Sequence, residues 1–445
     1  MLRVPGWRRL ALTAPLLLAF VVPACTSPPP SPPSPPSPSG TRQVTVMAQP
    51  GTSSADQAVH IEVAGLGAGQ QATVRVSSTD ANGVPWVSAA TYRADASGVV
   101  DPSLVAPLSG SYQGVSGMGL VWSMHQLGPV SPRSAGGYIW NQNGTFPFTV
   151  TVRADGATVA RTSFGRRLAA ARWGTRQETL AADGFVGYLG QPDAGPRRRA
   201  AVLLIGGSEG GLPLPLTVAL LAGQGYLALG VAYFGLPGLP SALAGIPLEY
   251  FARALRWLAR QPGVDPARIA VLGVSRGSEA AQLLGVHYPG LVHAVIASVP
   301  NDAAACSYPR CRTAAWMLDG KPLPYTREFD NPAPTDNPAA VIPDERIDGP
   351  VFLDCGEADQ VWTSCPYARA ILSRLDRHHD RWTHVLYAYP GAGHVIGDFA
   401  PYEPLGPKAL AQAAPSVRAF QEAEPGLVQH LLGFLAAFAG RPAGQ

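Results

Sequence analysis

Lysine is almost missing from this chain, with Lys321 and Lys408 the only two among 33 basic residues. Charged residues of every kind make up just 14%, which excludes charge-driven disorder and the basic surfaces that coat nucleic acid. The apolar run from Leu10 to Val22 is too short to cross a bilayer. Nucleotide motifs are missing too: no G-x-G-x-x-G is present, and no Lys-Ser or Lys-Thr follows the glycine-rich stretch at 206–211. What is present is apolar residue, 46% over 445 residues and 46.5 kDa, enough for two or three domains. Pro 45 and Gly 49 add a fifth of the chain, with a dense proline cluster near the start.

Arg3, Arg8 and Arg9 precede the run Leu10 to Val22, which ends in Val22-Pro23-Ala24-Cys25. Charge, apolar run and cysteine in this order resemble a bacterial lipoprotein-type export signal over residues 1–24. Lipidation at Cys25 is the expectation, giving an extracytoplasmic protein anchored to the cell membrane. The formal charge of +3 then belongs to the signal, because removing its three arginines leaves 30 basic against 30 acidic residues. The Pro/Ser-rich linker at 25–42 has no apolar face to bury, and its polyproline II preference makes it a spacer.

Four other cysteines remain, Cys306, Cys311, Cys355 and Cys365, an even number in a chain expected to be exported. Three pairings are possible; short loops favour Cys306–Cys311 with Cys355–Cys365. The spacings match no common zinc pattern, so no metal is expected.

Two folded parts follow. Residues 43–170 read as short alternating segments at 44–47, 59–63, 72–77, 91–93 and 146–153, separated by turn clusters such as Asp80-Ala81-Asn82-Gly83, the pattern of an immunoglobulin-like β-sandwich. From 171 to 445 apolar strands alternate with helices: 201–205, 226–231, 269–273, 294–298, 351–353 and 384–389 as strands, 248–260 and 278–286 as helices. Apolar strands without polar alternation imply a mostly parallel sheet covered on both faces, an α/β fold whose ligands bind beyond the strand carboxyl ends.

Polar residues at those ends carry the chemistry. Gly273-Val274-Ser275-Arg276-Gly277 is a G-x-S-x-G between a strand and a helix, which exposes the Ser275 hydroxyl at a helix N-terminus. The Arg276 amide is then placed to donate to a developing oxyanion. A serine needs a base, and the base an orienter. His394 follows the final strand in Tyr389-Pro390-Gly391-Ala392-Gly393-His394, and Asp359 follows the strand at 351–353, with Glu357 the alternative orienter. The order Ser275, Asp359, His394 is that of α/β-hydrolases. The second oxyanion donor is expected from the loop Gly206-Gly207-Ser208-Glu209-Gly210-Gly211, with Ser208 and Glu209 as the amides.

These residues sit in longer blocks: VHIEVAGLGAGQQATVRV from Val59, YRADASGVVD from Tyr92, GSYQGVSGMGLVWSM from Gly110, LLAGQGYLALGVAYF from Leu220, PLEYFARALRWL from Pro247, GVSRGSEAAQLL from Gly273, IPDERIDGPVFLDCGEADQVW from Ile342 and YPGAGHVI from Tyr389. In these blocks the chain resembles the family of acyl-CoA thioesterases and bile acid-CoA:amino acid N-acyltransferases, from about Gln43 to the C-terminus. The resemblance implies Ser275 as nucleophile, Asp359 as acid and His394 as base. It also implies hydrolysis, since the family's acyltransferases have cysteine where this chain has Ser275. Family members act on CoA thioesters inside cells, whereas this chain is expected to be exported, so the leaving group is open.

The expected activity is hydrolysis of a small-molecule acyl thioester or ester through an acyl-serine. A carboxylesterase or peptidase-like hydrolase of the cell envelope, and a noncatalytic surface-binding lipoprotein, are the alternatives. No cofactor and no nucleic-acid partner are expected.

Overall fold

The structure is a computed structural model that describes residues 43–132, 137–193, 198–213, 215–378, 381–399, 401–407, 410 and 416–440. The expected signal, Cys25 and the linker at 25–42 lie outside the described residues. Gln43–Gln445 form one compact unit.

Its first part is built on a seven-stranded sheet. Gln71–Thr79, Pro85–Arg93, Thr145–Ala154 and Ala157–Arg167 are its long strands, paired antiparallel to one another, with the short strand Thr52–Ser54 added parallel to Ala157–Arg167. The last two form a hairpin through Asp155-Gly156, whose positive φ values of 49° and 78° match the twist of the strands. Alternating residues Ala72, Val74, Val76, Phe148, Val150 and Val152 point inward, onto a two-stranded sheet of Thr45–Gln49 and His60–Ala64. The second layer of the sandwich is therefore only two strands wide, completed by the helix Gly119–Trp122, whose Leu120 and Val121 enter the same core.

The second part is an eight-stranded sheet in the order Trp173–Glu178, Val186–Pro192, Leu227–Ala232, Arg199–Ile205, Val264–Val274, Ala294–Ser298, Val351–Gly356, Val385–Tyr389. Val186–Pro192 runs antiparallel to both of its neighbours, and the other seven strands run in one direction. The uninterrupted apolar composition of the six strands paired in parallel has a direct cause: each of them feeds two cores. Leu203 and Ile205 pack with the helices Leu248–Ala259, Arg276–His287 and Ser364–His378, while Val202 and Leu204 pack with Pro215–Gly223 and Val417–Phe438. After Arg199–Ile205 the chain winds first to one side, then returns to the other through Val264–Val274. The switch point lies at the carboxyl ends of these two strands, where the glycine-rich loop meets Ser275.

The two parts are fastened where the chain leaves the site. Trp140 donates its indole N–H to both oxygens of Glu403, at 3.2 and 3.0 Å, and the Tyr138 amide donates to the Pro404 carbonyl. Burial pushes the Glu403 carboxyl up to about 8. Asp354, at the end of the strand Val351–Gly356, is likewise pushed up to about 8 by burial, although Ser298 Oγ donates to it at 2.6 Å. Both acids thus keep in the folded state a proton that the unfolded chain releases near its ordinary carboxyl pKa. The stability they support is complete below about pH 4 and is lost as pH rises toward 8. Unfolding free energy from denaturant titration is expected to fall by on the order of a few kcal/mol between those limits. In Asp354→Asn with Glu403→Gln the slope should flatten; an unchanged slope would show that neither carboxyl is neutral in the folded protein.

Candidate active site

Two glycines make the turn that carries Ser275. A Cβ on Gly273 would overlap the Gly277 carbonyl, and one on Gly277 would overlap the carbonyls of Gly206 and Ile205. The turn is tight enough to hold Ser275 at φ 55° and ψ −121°, a region that costs a side-chain-bearing residue on the order of 1–3 kcal/mol and that persists where surroundings impose it. The imposing contacts include the Ser275 amide donating to Ser298 O at 3.0 Å and the helix that starts at Arg276.

The loop after Val385–Tyr389 brings His394 over the strand ends. Its Nε2 lies 2.9 Å from Ser275 Oγ and its Nδ1 2.7 Å from Asp359 Oδ2. With Nδ1–H donating to the carboxylate, Nε2 is left as acceptor for the serine hydroxyl. The other Asp359 oxygen accepts from the amides of Val361 and Trp362, at 2.9 and 3.4 Å, so the carboxylate cannot rotate away. Glu357, the alternative orienter, is exposed and pairs instead with Arg369 at 2.8 Å. Ser275 is 9% and His394 8% exposed, so both side chains are largely withdrawn from solvent.

The glycine-rich loop reaches the site through Gly207, where a Cβ would meet the Glu209 carboxylate at 2.8 Å and the Ser275 Cβ at 3.1 Å. Ser208 follows, half-buried. Glu209 has a bracing part in addition to the amide role expected of it: its carboxylate turns back to accept the Gly207 amide at 2.9 Å. Arg276, expected as an amide donor, also buries its guanidinium, which donates to the carbonyls of Ala305 and Cys306 at 2.9 Å each. The cysteines pair as Cys306–Cys311 and Cys355–Cys365.

Three residues near the site carry no signal in the sequence. Trp362 sets its ring edge-on to His394 at 5.5 Å and donates to Val299 O at 3.1 Å. Val299, a branched residue at φ 39°, closes the strand that ends beside Ser275. Tyr233 places its hydroxyl on the Gly206 and Gly207 carbonyls. All three follow a strand end, but nothing local distinguishes such a residue from core. Among the described residues, the trio with metal-ligating atoms within 4.8 Å of one another is His60, Glu62 and Asp101, in the first part of the chain and not at Ser275.

A mostly parallel, two-faced sheet with serine, histidine and aspartate gathered at its carboxyl edge defines an α/β-hydrolase. Residues 56–177 match the family profile described as "Acyl-CoA thioester hydrolase/BAAT N-terminal region", and residues 246–420 the one described as "BAAT / Acyl-CoA thioester hydrolase C terminal". The chain is 30% identical to human acyl-coenzyme A thioesterase 6, over 81% of this chain and 87% of that one. It is 29% identical to the mouse peroxisomal succinyl-coenzyme A thioesterase, over 82% and 88% of the two chains. It belongs to the acyl-CoA thioesterase/BAAT family. Among solved structures, a putative dienelactone hydrolase from Klebsiella pneumoniae is similar with a TM-score of 0.40 at 17% identity, covering 59% of this chain and 98% of that one.

Proposed function

We propose that the protein is a serine hydrolase that cleaves an acyl thioester or carboxylic ester through an acyl-Ser275 intermediate. The hydrogen-bonded line from Asp359 through His394 to Ser275 Oγ carries this reading. As Oγ bonds to the substrate carbonyl carbon, His394 Nε2 takes its proton, and Asp359 steadies the imidazolium that results. The carbonyl oxygen becomes an oxyanion facing the amides of Arg276 and Ser208. Collapse of the tetrahedral intermediate expels the thiol or alcohol, which receives the proton held on His394. A water then loses a proton to His394, attacks the acyl carbon and releases the acid, restoring Ser275.

The names of the family relatives support a thioester substrate. Two disulfides support an oxidising, extracytoplasmic location, reached through the export signal and held by a lipid on Cys25. Free CoA is scarce there, which favours an ester or a thioester of another thiol.

The test is turnover of acyl-CoA, aryl ester and aminoacyl amide panels by the full protein in its membrane fraction, with fluorophosphonate labelling beside it. Ester or thioester turnover that the probe abolishes is expected. Turnover confined to amides would make the enzyme peptidase-like, and absence of both turnover and labelling would leave a binding lipoprotein.

A further inference from the structure

Arg276 and Tyr233 are both buried against the backbone around Ser275, and a single network joins them. The Arg276 guanidinium holds two carbonyls, and its Nε lies 2.9 Å from Glu279 Oε1 as an ion pair without hydrogen-bond alignment. Glu279, also buried, accepts from the Trp316 indole at 2.8 Å and the Ala305 amide at 3.2 Å. The Trp316 ring packs on Tyr233 with centroids 5.8 Å apart. The Tyr233 hydroxyl lies 2.9 Å from Gly206 O and 2.7 Å from Gly207 O and donates to the pair.

Burying an ion pair and a phenol is costly, and apolar side chains of similar size fill a core at least as well. What these polar groups add is direction. In a trans peptide the C=O and the following N–H lie in one plane and point in opposite directions. Holding the Gly206 carbonyl therefore sets the Gly207 N–H, which meets Glu209. Holding the Gly207 carbonyl turns the Ser208 N–H away from the phenol, and among the described residues that N–H has no hydrogen-bond acceptor. On the other side of Ser275, the Arg276 side chain clamps the first residue of its helix to the segment Ala305–Cys306, so its own backbone cannot swing.

We propose that Tyr233 and Arg276, linked through Glu279 and Trp316, are positioning residues that hold the two backbone segments of the oxyanion site at a fixed separation. The inference rests on the serine-hydrolase reading above. Neither side chain touches the reacting atoms; each acts through a backbone amide that meets the negative charge only as it forms. Their loss should therefore weaken binding of the transition state and leave binding of the substrate unchanged.

The test compares wild type with Tyr233→Phe, Arg276→Lys and the double variant on a chromogenic ester. It reads kcat, KM, melting temperature, pH profile and affinity for a trifluoromethyl ketone, which forms a tetrahedral adduct with an active serine. Tyr233→Phe is expected to lower kcat and ketone affinity together by about ten-fold or more, with KM and the pH profile unchanged. The double variant should lose less than the product of the single losses, because the two residues serve one network. An unchanged kcat, a loss confined to KM, or a kcat loss that ketone affinity does not follow would overturn the proposal. Tyr233→Phe decides the matter alone if Arg276→Lys fails to fold. If the wild type forms no ketone adduct and Ser275 takes no fluorophosphonate, the hydrolase reading has failed and the inference falls with it.

Discussion

Ser275→Ala is expected to lower kcat by about four to six orders of magnitude and to abolish fluorophosphonate labelling, with little change in melting temperature. Removing Oγ removes the atom that bonds to the acyl carbon, and His394, left without the hydroxyl it deprotonates, has no second nucleophile in line. The residual rate should reflect only orientation and oxyanion binding. The fold should tolerate the change. Oγ makes its hydrogen bond to His394, and the strained φ of 55° is imposed by the flanking turn whether serine or alanine occupies it. A variant that keeps more than about one hundredth of wild-type turnover would place the nucleophile elsewhere.

Gly277→Ala should do the opposite, removing the fold before it touches the chemistry. The added methyl would enter the space held by the carbonyls of Gly206 and Ile205, which are backbone atoms of a central strand and of the loop beside the site. No rotamer change relieves such an overlap, so helix and strand must separate at the sheet's switch point. The cost is expected to exceed about 3 kcal/mol, large against ordinary domain stability. Gly290→Ala is the matched control, since a methyl there meets nothing within 4 Å. Thermal unfolding by circular dichroism should show a large drop, or no soluble protein, for Gly277→Ala and nearly no change for Gly290→Ala. Equal melting points would mean the turn is looser than its geometry indicates.

Local pattern carried much of this in advance. The strands at 294–298 and 385–389 and the helix at 248–259 stand within one residue of where apolar runs and a Pro-Gly stop place them, because burial on both faces leaves few polar residues to confuse the period. The strands Trp173–Glu178 and Val186–Pro192 at one side of the sheet escaped, the first being exposed and charged and the second part-exposed and interrupted by glycines. The hairpin partner Ala157–Arg167 escaped as well, although Asp155-Gly156 is a strong two-residue turn signal.

What the sequence determined by itself is whatever one stretch of chain specifies without help: the α/β pattern, the glycine-flanked serine, the order Ser275, Asp359, His394, and family blocks long enough to be recognised. The tertiary structure alone decided which carboxylate meets His394, since Asp359 and Glu357 are equally near in sequence, and side-chain direction at the strand end turns one inward and the other to Arg369. It likewise decided that Tyr233, Glu279, Trp316 and Trp362 surround the site. Ser275 and His394 are 119 residues apart along the chain, and Glu279 and Trp316 37, yet each pair is in hydrogen-bond contact. Such contacts come from strand order and layer packing, which no local period encodes.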